Sequence, residues 1–232
     1  MLRIITDFDG PIMDVSERYY RVYHFCLDQV QYPGQSLHRL TKAEFWQLKR
    51  SQVPEREIGK QSGLDEPQAK EFALLRRHTV HTLPYLIYDK PLPGAIDALE
   101  RMTELGFELV TMTMRRTREL NAALDQYNLG RFFHIDRRYC LDNDHAKTSD
   151  IEDKTWLMGT ALAALPPIAQ TWMIGDTEAD ILAAKAHEIP VIAVLSGIRN
   201  RDRLQPHQPD WIVANLSEAV DIVIQQSVVT TP

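Results

Sequence analysis

The chain has 232 residues, 44% of them hydrophobic, so it can bury a full core in one large domain or in two unequal ones. Its formal net charge of −6 excludes a general nucleic-acid binder, which needs a basic face. No segment approaches the roughly 18–20 consecutive apolar residues of a membrane span, and the early Asp7 argues against a signal peptide, so we expect neither.

The first predicted element is a buried strand that ends in carboxylates. Residues 2–6 are apolar or β-branched, Asp7 and Asp9 follow at once, and Gly10 with Pro11 ends the strand. Open α/β sheets place their ligands at the carboxyl ends of parallel strands. Because a buried charge is costly without a compensating ligand, Asp7 and Asp9 are candidates for chemistry rather than for packing.

The next segment, residues 15–91, has helical patterns only. Apolar side chains recur at helical spacing after residue 20, and further helical stretches cover 41–52 and 66–82. Ser16 and Thr41 stand where N-caps are expected. A helical segment of this length is too long for an ordinary connection, so we interpret residues 15–91 as an inserted, all-helical cap domain.

From Gly94 onward, helices alternate with strands. This pattern predicts a doubly wound, parallel-sheet, Rossmann-like α/β core formed by residues 1–14 and 92–232. The first expected helix carries apolar side chains from Ile96 to Leu105 and stops at Gly106, and further helices are expected near 117–128 and near 154–165. The expected strands lie at 107–113, near 133–137, and at 171–175, 190–195 and 211–213.

Charge also differs between the two parts. Residues 15–91 carry twelve Lys and Arg against nine Asp and Glu, a net +3 that leaves −9 for the remainder. A mildly basic cap with an acidic core would favour an anionic substrate. Ordinary variation of surface charge accounts for the difference equally well.

Three of the predicted strands end in polar residues that could act together in one site. After the first come Asp7 and Asp9, the second ends at Thr113, and the strand at 171–175 leads into Asp176 and Asp180. If the sheet is parallel, these side chains converge at one edge. A cluster of carboxylates repels itself unless a hard cation lies within it, and oxygen-only ligands favour Mg²⁺ over zinc.

The order of these motifs resembles the haloacid dehalogenase (HAD) superfamily. The motifs are the sequence DFDG at residues 7–10, Thr113, Lys154 and the sequence GDTEAD at residues 175–180. The helical insert directly after the first motif is similar to the helical-cap (C1) branch, and the whole chain looks like a phosphoglycolate phosphatase-like member of it.

The resemblance implies a role for each carboxylate. Asp7 would be the nucleophile that forms an aspartyl-phosphate, and Asp9 would be the general acid and base. Mg²⁺ would be held by the carboxylates of Asp7 and Asp176 and by the backbone carbonyl of Asp9. Asp180 would support the metal site directly or through water, although it could instead cap or brace the helix that follows.

The resemblance also implies the phosphate contacts. Thr113 would bind phosphoryl oxygens and Lys154 would neutralise their charge. Thr111 competes with Thr113, which we favour because we expect it at the strand end. Lys147 competes with Lys154, which we favour because it starts a helix closer to the last motif and matches the family spacing.

Substrate binding involves further candidates. Met114 and Arg115 stand where the family often has an amide or small polar residue, so Arg115 either reaches the phosphate or substrate or only begins a helix. In the cap, basic side chains are the best candidates for contacts to an anionic group, although most such side chains are merely solvated. These cap residues are Lys49, Arg50 and Lys60.

These observations predict a Mg²⁺-dependent phosphatase that hydrolyses a small phosphorylated metabolite. The second acid, Asp9, argues against dehalogenation, because haloacid dehalogenases proper lack it. A phosphomutase of the β-phosphoglucomutase type shares Asp7 and Asp9 and is the alternative. A response-regulator receiver is much shorter and has no cap, and a non-catalytic phosphate-binding HAD scaffold is disfavoured by the complete set of catalytic residue types.

The two cysteines bear on the compartment. Cys26 and Cys140 are far apart and lack the spacing of a metal or redox motif. We expect both to be reduced packing residues, as in a cytoplasmic protein.

Overall fold

The computed structural model describes residues 2–229. Met1 and residues 230–232, which the prediction assigned to the α/β core, lie outside the described residues. The chain divides into two compact units, one formed by Met1–Asp14 with Lys90–Pro232 and the other by Val15–Asp89. The second boundary falls before Lys90 rather than after residue 91, because Lys90–Pro91 pairs antiparallel with Met13–Asp14 in the first unit.

The first unit is built on a six-stranded sheet, and every pairing in it is parallel. In chain order the strands are β1 (Leu2–Thr6), β2 (Met13–Asp14), β3 (Lys90–Pro91), β4 (Glu108–Arg116), β5 (Arg138–Leu141), β6 (Gln170–Gly175), β7 (Val191–Val194) and β8 (Trp211–Val213). The sheet order is β5-β4-β1-β6-β7-β8, and β2 with β3 forms a separate two-stranded ladder. This order is that of doubly wound dinucleotide-binding sheets, in which ligands bind where the direction of winding reverses, here between β1 and β6.

Helices of the first unit cover both faces of its sheet, and the second unit consists of helices. In chain order they are α1 (Ser16–Val30), α2 (Lys42–Arg50), α3 (Glu55–Gln61), α4 (Glu66–Thr79), α5 (Leu83–Leu86), α6 (Ala95–Glu104), α7 (Thr117–Gln126), α8 (Asp150–Ala164), α9 (Glu178–Ala186), α10 (Arg201–Leu204) and α11 (Leu216–Val229). Side chains from β1 alternate between two buried clusters, with Ile4 packed among α6, α7 and α11, and Ile5 packed among α8 and α9. The predicted α/β, Rossmann-like class is confirmed.

The second unit is all helical. Helices α1 to α5 enclose a core of their own, in which Tyr23, Phe45 and Phe72 are almost fully buried. A buried ion pair joins its two ends, where Arg18 Nε lies 3.0 Å from Asp89 Oδ1. Two of these helices, α3 and α5, were not predicted.

Several predicted boundaries are wrong in detail. The strand expected at 133–137 is instead a 3₁₀ turn, Ile135–Arg137, followed by β5. Its apolar signal came from Phe133, which is buried because it packs in the core and not because it lies in a strand. Helix α8 begins at Asp150 rather than near 154, because Ser149 caps it by accepting a hydrogen bond from the Glu152 amide.

The two predicted N-caps have different outcomes. Thr41 is the N-cap of α2 and forms a capping box with Glu44, as predicted. Ser16 is not a cap, because α1 already includes it and the N-cap position belongs to Val15, whose side chain has no capping oxygen. Within residues 2–229, no helix has the length and apolar character needed to cross a membrane.

Candidate active site

The two central strands bring the first and last motifs together. Strands β1 and β6 pair in parallel as far as Thr6 and Ile174, and the Asp7 amide donates to the Ile174 carbonyl at 2.8 Å. Asp176 follows the end of β6 just as Asp7 follows the end of β1. The convergence expected from a parallel sheet therefore occurs at the point where winding reverses.

Three carboxylates meet there. One oxygen from each of Asp7, Asp176 and Asp180 lies within 4.8 Å of the others, and all three residues are buried. Burial raises the pKa of Asp7 well above its usual value; Lys154 opposes this, while Asp180, Asp176 and Asp9 add to it. Burial and the charge of Asp180 likewise raise the pKa of Asp176 to about 7. Burial is the main cause of both shifts, and the concentration of negative charge in a small volume adds to them.

Lys154 is the cation within this cluster. Its side chain is 1% exposed, and its Nζ lies 3.0 Å from Asp7 Oδ2 and 2.8 Å from Asp180 Oδ1. The ammonium also donates to the Met112 carbonyl of β4 at 2.9 Å. Lys147, the competing candidate, is about one-third exposed and lies 3.9 Å from Asp150. Of the two lysines, the fold therefore brings Lys154 to the predicted nucleophile.

Asp180 has a bracing role in the structure. Its Oδ2 accepts hydrogen bonds from the Asp176 amide at 3.2 Å and from the Thr177 amide and hydroxyl at 3.0 and 2.8 Å. These hydrogen bonds form the capping box of α9. Asp180 therefore braces the helix that follows, which was the alternative to a metal role. The same side chain remains close enough to Asp7 and Asp176 to serve a metal ion.

Three glycines make room for the carboxylates. A Cβ atom on Gly10, whose φ is +96°, would lie 2.3 Å from the Asp176 carboxyl carbon. A Cβ on Gly197 would lie 1.9 Å from Asp176 Oδ2, and one on Gly175 would lie 2.2 Å from the Asp180 carboxyl carbon. No side chain can occupy these positions while both carboxylates keep their places.

The loop after β7 is a functional element that the sequence analysis missed. The Ile198 amide donates to Asp176 Oδ2 at 2.6 Å, and the Ser196 hydroxyl donates to the Gly10 carbonyl at 2.7 Å. The signal that could have indicated this loop is a polar residue followed by a glycine, shortly after a buried strand and at the same edge of the sheet as Asp176.

Asp9 and Arg115 form a close pair. Arg115 Nε and Nη2 lie 2.8 and 2.7 Å from Asp9 Oδ1, and the guanidinium carbon lies 5.2 Å from the centre of the Phe8 ring. The Arg115 side chain is 1% exposed, whereas that of Asp9 is 26% exposed. The structure thus places Arg115 against Asp9, and its predicted contact with substrate stays a prediction.

Thr113 lies within β4 and not at its end, so that part of the sequence analysis is wrong. The strand continues to Arg116, because β4 goes on pairing with β5 beyond the point where its ladder with β1 stops at Thr111. Thr113 is nevertheless beyond the last pair with β1, and its Oγ1 accepts from the Arg115 amide at 3.2 Å. Met114 is partly buried and packs against the core.

The predicted cap contacts lie on α2, which carries Lys49 and Arg50, and on α3, which carries Lys60. Lys49 forms an ion pair with Glu55, and its Nζ lies 5.7 Å from the centre of the Tyr19 ring. Arg50, the last residue of α2, is partly buried. Lys60 pairs with Glu57 and Glu66 at 3.2 and 2.9 Å. These contacts are all internal to the helical unit, and the substrate roles of Lys49 and Arg50 stay predictions.

The carboxylate cluster fits a hard divalent cation. Its donors are all oxygens, and they converge within metal-binding distance of one another. Burial, with the repulsion among the carboxylates added to it, raises the pKa values of Asp7 and Asp176, and a cation would offset both effects. This donor set suits Mg²⁺, whereas zinc prefers nitrogen and sulfur.

Comparison with known proteins gives the same family. Residues 154–219 match the family model described as HAD-hydrolase-like. A phosphoglycolate phosphatase of Pseudomonas fluorescens is 26% identical over 157 residues, which are 66% of this chain and 54% of that protein. The pyrophosphatase PpaX of Halalkalibacterium halodurans is 25% identical over 162 residues, 69% of this chain and 72% of its own.

The chain is similar to haloacid dehalogenase-like proteins in sequence and in fold. A solved haloacid dehalogenase-like hydrolase from Streptococcus pneumoniae has the same fold, with a TM-score of 0.69 at 21% identity over 95% of this chain and 97% of its own. The resemblance predicted from the motifs is confirmed. The match to the P. fluorescens phosphatase spans only about half of that relative's length.

Proposed function

We propose that this HAD-like protein is a Mg²⁺-dependent phosphatase that hydrolyses a small phosphorylated metabolite through an aspartyl-phosphate. The observation that carries the proposal is the buried cluster of Asp7, Asp176 and Asp180, held by the ammonium of Lys154. Its similarity to phosphoglycolate phosphatases supports the reaction class.

In the first half-reaction, a carboxylate oxygen of Asp7 attacks phosphorus and the bond from phosphorus to the leaving oxygen breaks. Asp9 donates a proton to the leaving oxygen as that oxygen takes up the electron pair. General acid catalysis of this kind contributes about 10²–10⁴-fold in rate. A partly exposed carboxylate two residues from the nucleophile suits this task, since it must meet both the leaving group and water.

In the second half-reaction, Asp9 removes a proton from water as the water oxygen attacks the phosphorus of the aspartyl-phosphate. The bond to Asp7 breaks and inorganic phosphate leaves. Lys154 and Thr113 stabilise the phosphoryl oxygens by charge and by hydrogen bonding. Asp7, Asp176 and the Asp9 carbonyl, with support from Asp180, would hold Mg²⁺, which would neutralise charge between the anionic substrate and the nucleophile.

Further substrate contacts are proposed for Met114 on β4 and for Lys49 and Arg50 on α2, and Arg115 on β4 is a candidate either for such a contact or for a role through Asp9. The net positive charge of the helical unit supports an anionic leaving group, such as a phosphorylated acid, sugar or nucleotide. We also propose a cytoplasmic location, supported by the free thiols of Cys26 and Cys140.

The test is a phosphate-release screen over a metabolite library with Mg²⁺. Wild type should release inorganic phosphate, Asp7→Asn should release none, and the exposed Asp144→Asn should match wild type as the control. Full turnover by Asp7→Asn would remove the covalent mechanism. Isomerised substrate without free phosphate would instead identify a mutase.

A further inference from the structure

The two side chains of the Arg115–Asp9 ion pair differ in solvent exposure, and this difference indicates what the pair does. The guanidinium is almost fully buried and the carboxylate is about one-quarter exposed. Burying a guanidinium is costly unless a charged partner satisfies it. An arginine that binds a substrate needs donors that the substrate can reach, whereas two donors of Arg115 already contact Asp9.

The geometry of the pair restricts how Asp9 can turn. Two donors from one planar group, Nε at 2.8 Å and Nη2 at 2.7 Å, converge on the same oxygen, Oδ1. The guanidinium is in turn held over the ring of Phe8, the residue between Asp7 and Asp9. The Arg115 amide donates to Thr113 Oγ1, which ties the same residue to the predicted phosphate-binding hydroxyl.

From these contacts we infer that Arg115 is a positioning residue for Asp9. It holds the proton-transferring carboxylate in one orientation beside the nucleophile, and this role replaces the substrate contact that was the other candidate role for Arg115. The inference rests on the proposed function, because it assigns Arg115 a task only if Asp9 transfers the proton. Lysine cannot replace it, because a single ammonium lacks the planar pair of donors.

In the first half-reaction, which kcat/KM reports, positioning of Asp9 matters only where the leaving group needs a proton. In the second half-reaction the attacking water is the same for every substrate, so any loss there is equal for all. Loss of Arg115 should therefore lower kcat/KM for an alkyl phosphate, whose leaving oxygen is strongly basic, far more than kcat/KM for p-nitrophenyl phosphate, whose leaving group departs without assistance. Binding of either substrate should change little. A substrate-binding arginine would show the opposite pattern, with KM raised for both.

The experiment compares Arg115→Met, Arg115→Lys and Asp9→Asn with the exposed control Arg118→Met on glycerol phosphate and p-nitrophenyl phosphate. For Arg115→Met we expect kcat/KM on glycerol phosphate to fall about 100-fold, within the range for proton-transfer catalysis. On p-nitrophenyl phosphate kcat/KM should fall less than about 5-fold, and KM should not rise for either substrate. Arg115→Lys should not restore the rate, and Arg118→Met should match wild type.

A double-mutant cycle gives the second readout. If Arg115 acts through Asp9, adding Arg115→Met to Asp9→Asn should slow the reaction no further, so the two effects should be strongly non-additive. The rate on p-nitrophenyl phosphate reports in the same assay whether each variant is folded.

Three outcomes would overturn the inference. They are additive losses in the cycle, a KM increase as the main effect of Arg115→Met, and equal loss on both substrates with lowered thermal stability. In each case wild type still hydrolyses both phosphates and the proposed function stands. Absence of phosphate release by wild type would overturn the proposed function and this inference together.

Discussion

Lys154 Nζ lies 3.0 Å from Asp7 Oδ2, and both side chains are buried at the carboxyl edge of the sheet. The same ammonium lies 2.8 Å from Asp180, so one cation serves two buried carboxylates. These charges raise the pKa of Lys154 although burial opposes the shift, and the side chain is therefore cationic throughout the ordinary pH range.

Lys154→Met should destabilise the protein by about 3–5 kcal/mol, because removing one partner of a buried ion pair leaves the others uncompensated. It should also abolish turnover. Urea unfolding measures the first effect, and phosphate release measures the second. Lys147→Met is the matched control, since Lys147 is partly exposed and 3.9 Å from its partner, and it should cost less than about 1 kcal/mol. Equal losses in the two variants would contradict this account.

Gly197→Ala should displace Asp176, because the new Cβ would lie 1.9 Å from Asp176 Oδ2. We expect Mg²⁺ affinity to weaken about 10–100-fold, as when a group that supports a metal ligand is lost. Isothermal titration with Mg²⁺ measures this without relying on turnover. Gly130→Ala is the control, since its Cβ would meet only the flexible end of Arg138 at 3.1 Å. Unchanged affinity in Gly197→Ala would show that the loop after β7 does not position Asp176.

Mg²⁺ should raise the thermal stability of the protein, because the cation relieves the repulsion among Asp7, Asp176 and Asp180 in the folded state alone. At 100 times its dissociation constant, the expected gain is about 2.7 kcal/mol. Differential scanning fluorimetry with and without EDTA measures the shift, which should be reversible. Asp176→Asn should lose most of it. A shift of equal size in that variant would place the ion elsewhere.

Cys26 should resist alkylation while the protein is folded. It is buried in the helical unit, and burial raises the pKa of its thiol to about 12, with Glu55 adding to the rise and Arg76 opposing it. The reactive thiolate is then about 10⁻⁴ of the total at pH 8. Iodoacetamide labelling followed by mass spectrometry, in a Cys140→Ser background, should show modification only in denaturant. Rapid labelling of the folded protein would show that the unit opens readily.

Local sequence patterns account for those site residues whose positions in the fold were predicted correctly. Apolar runs ended by glycine position Asp7, Asp9 and Asp176 at strand ends, and these signals need only a few neighbouring residues. The predictions failed where the answer depended on distant pairing. Thr113 was expected at a strand end, but continued pairing with β5 carries β4 on to Arg116.

The sequence favoured Lys154 over Lys147, partly because Lys154 was expected to start a helix. The helix α8 begins at Asp150 instead, and the contact of Lys154 with Asp7 follows from how α8 packs beside β4. Arg115 lies 106 residues from Asp9 in the chain, so no local pattern could have paired them.

By itself, the sequence determined the α/β class, the helical insert and the identity of the carboxylates, because hydrophobic periodicity and turn residues act over short range. Only the tertiary structure decided which cation reaches Asp7, which arginine holds Asp9 and which loop supports Asp176. Those pairings join separate strands and helices, and buried charges can be satisfied only by the partners that packing brings within hydrogen-bonding distance.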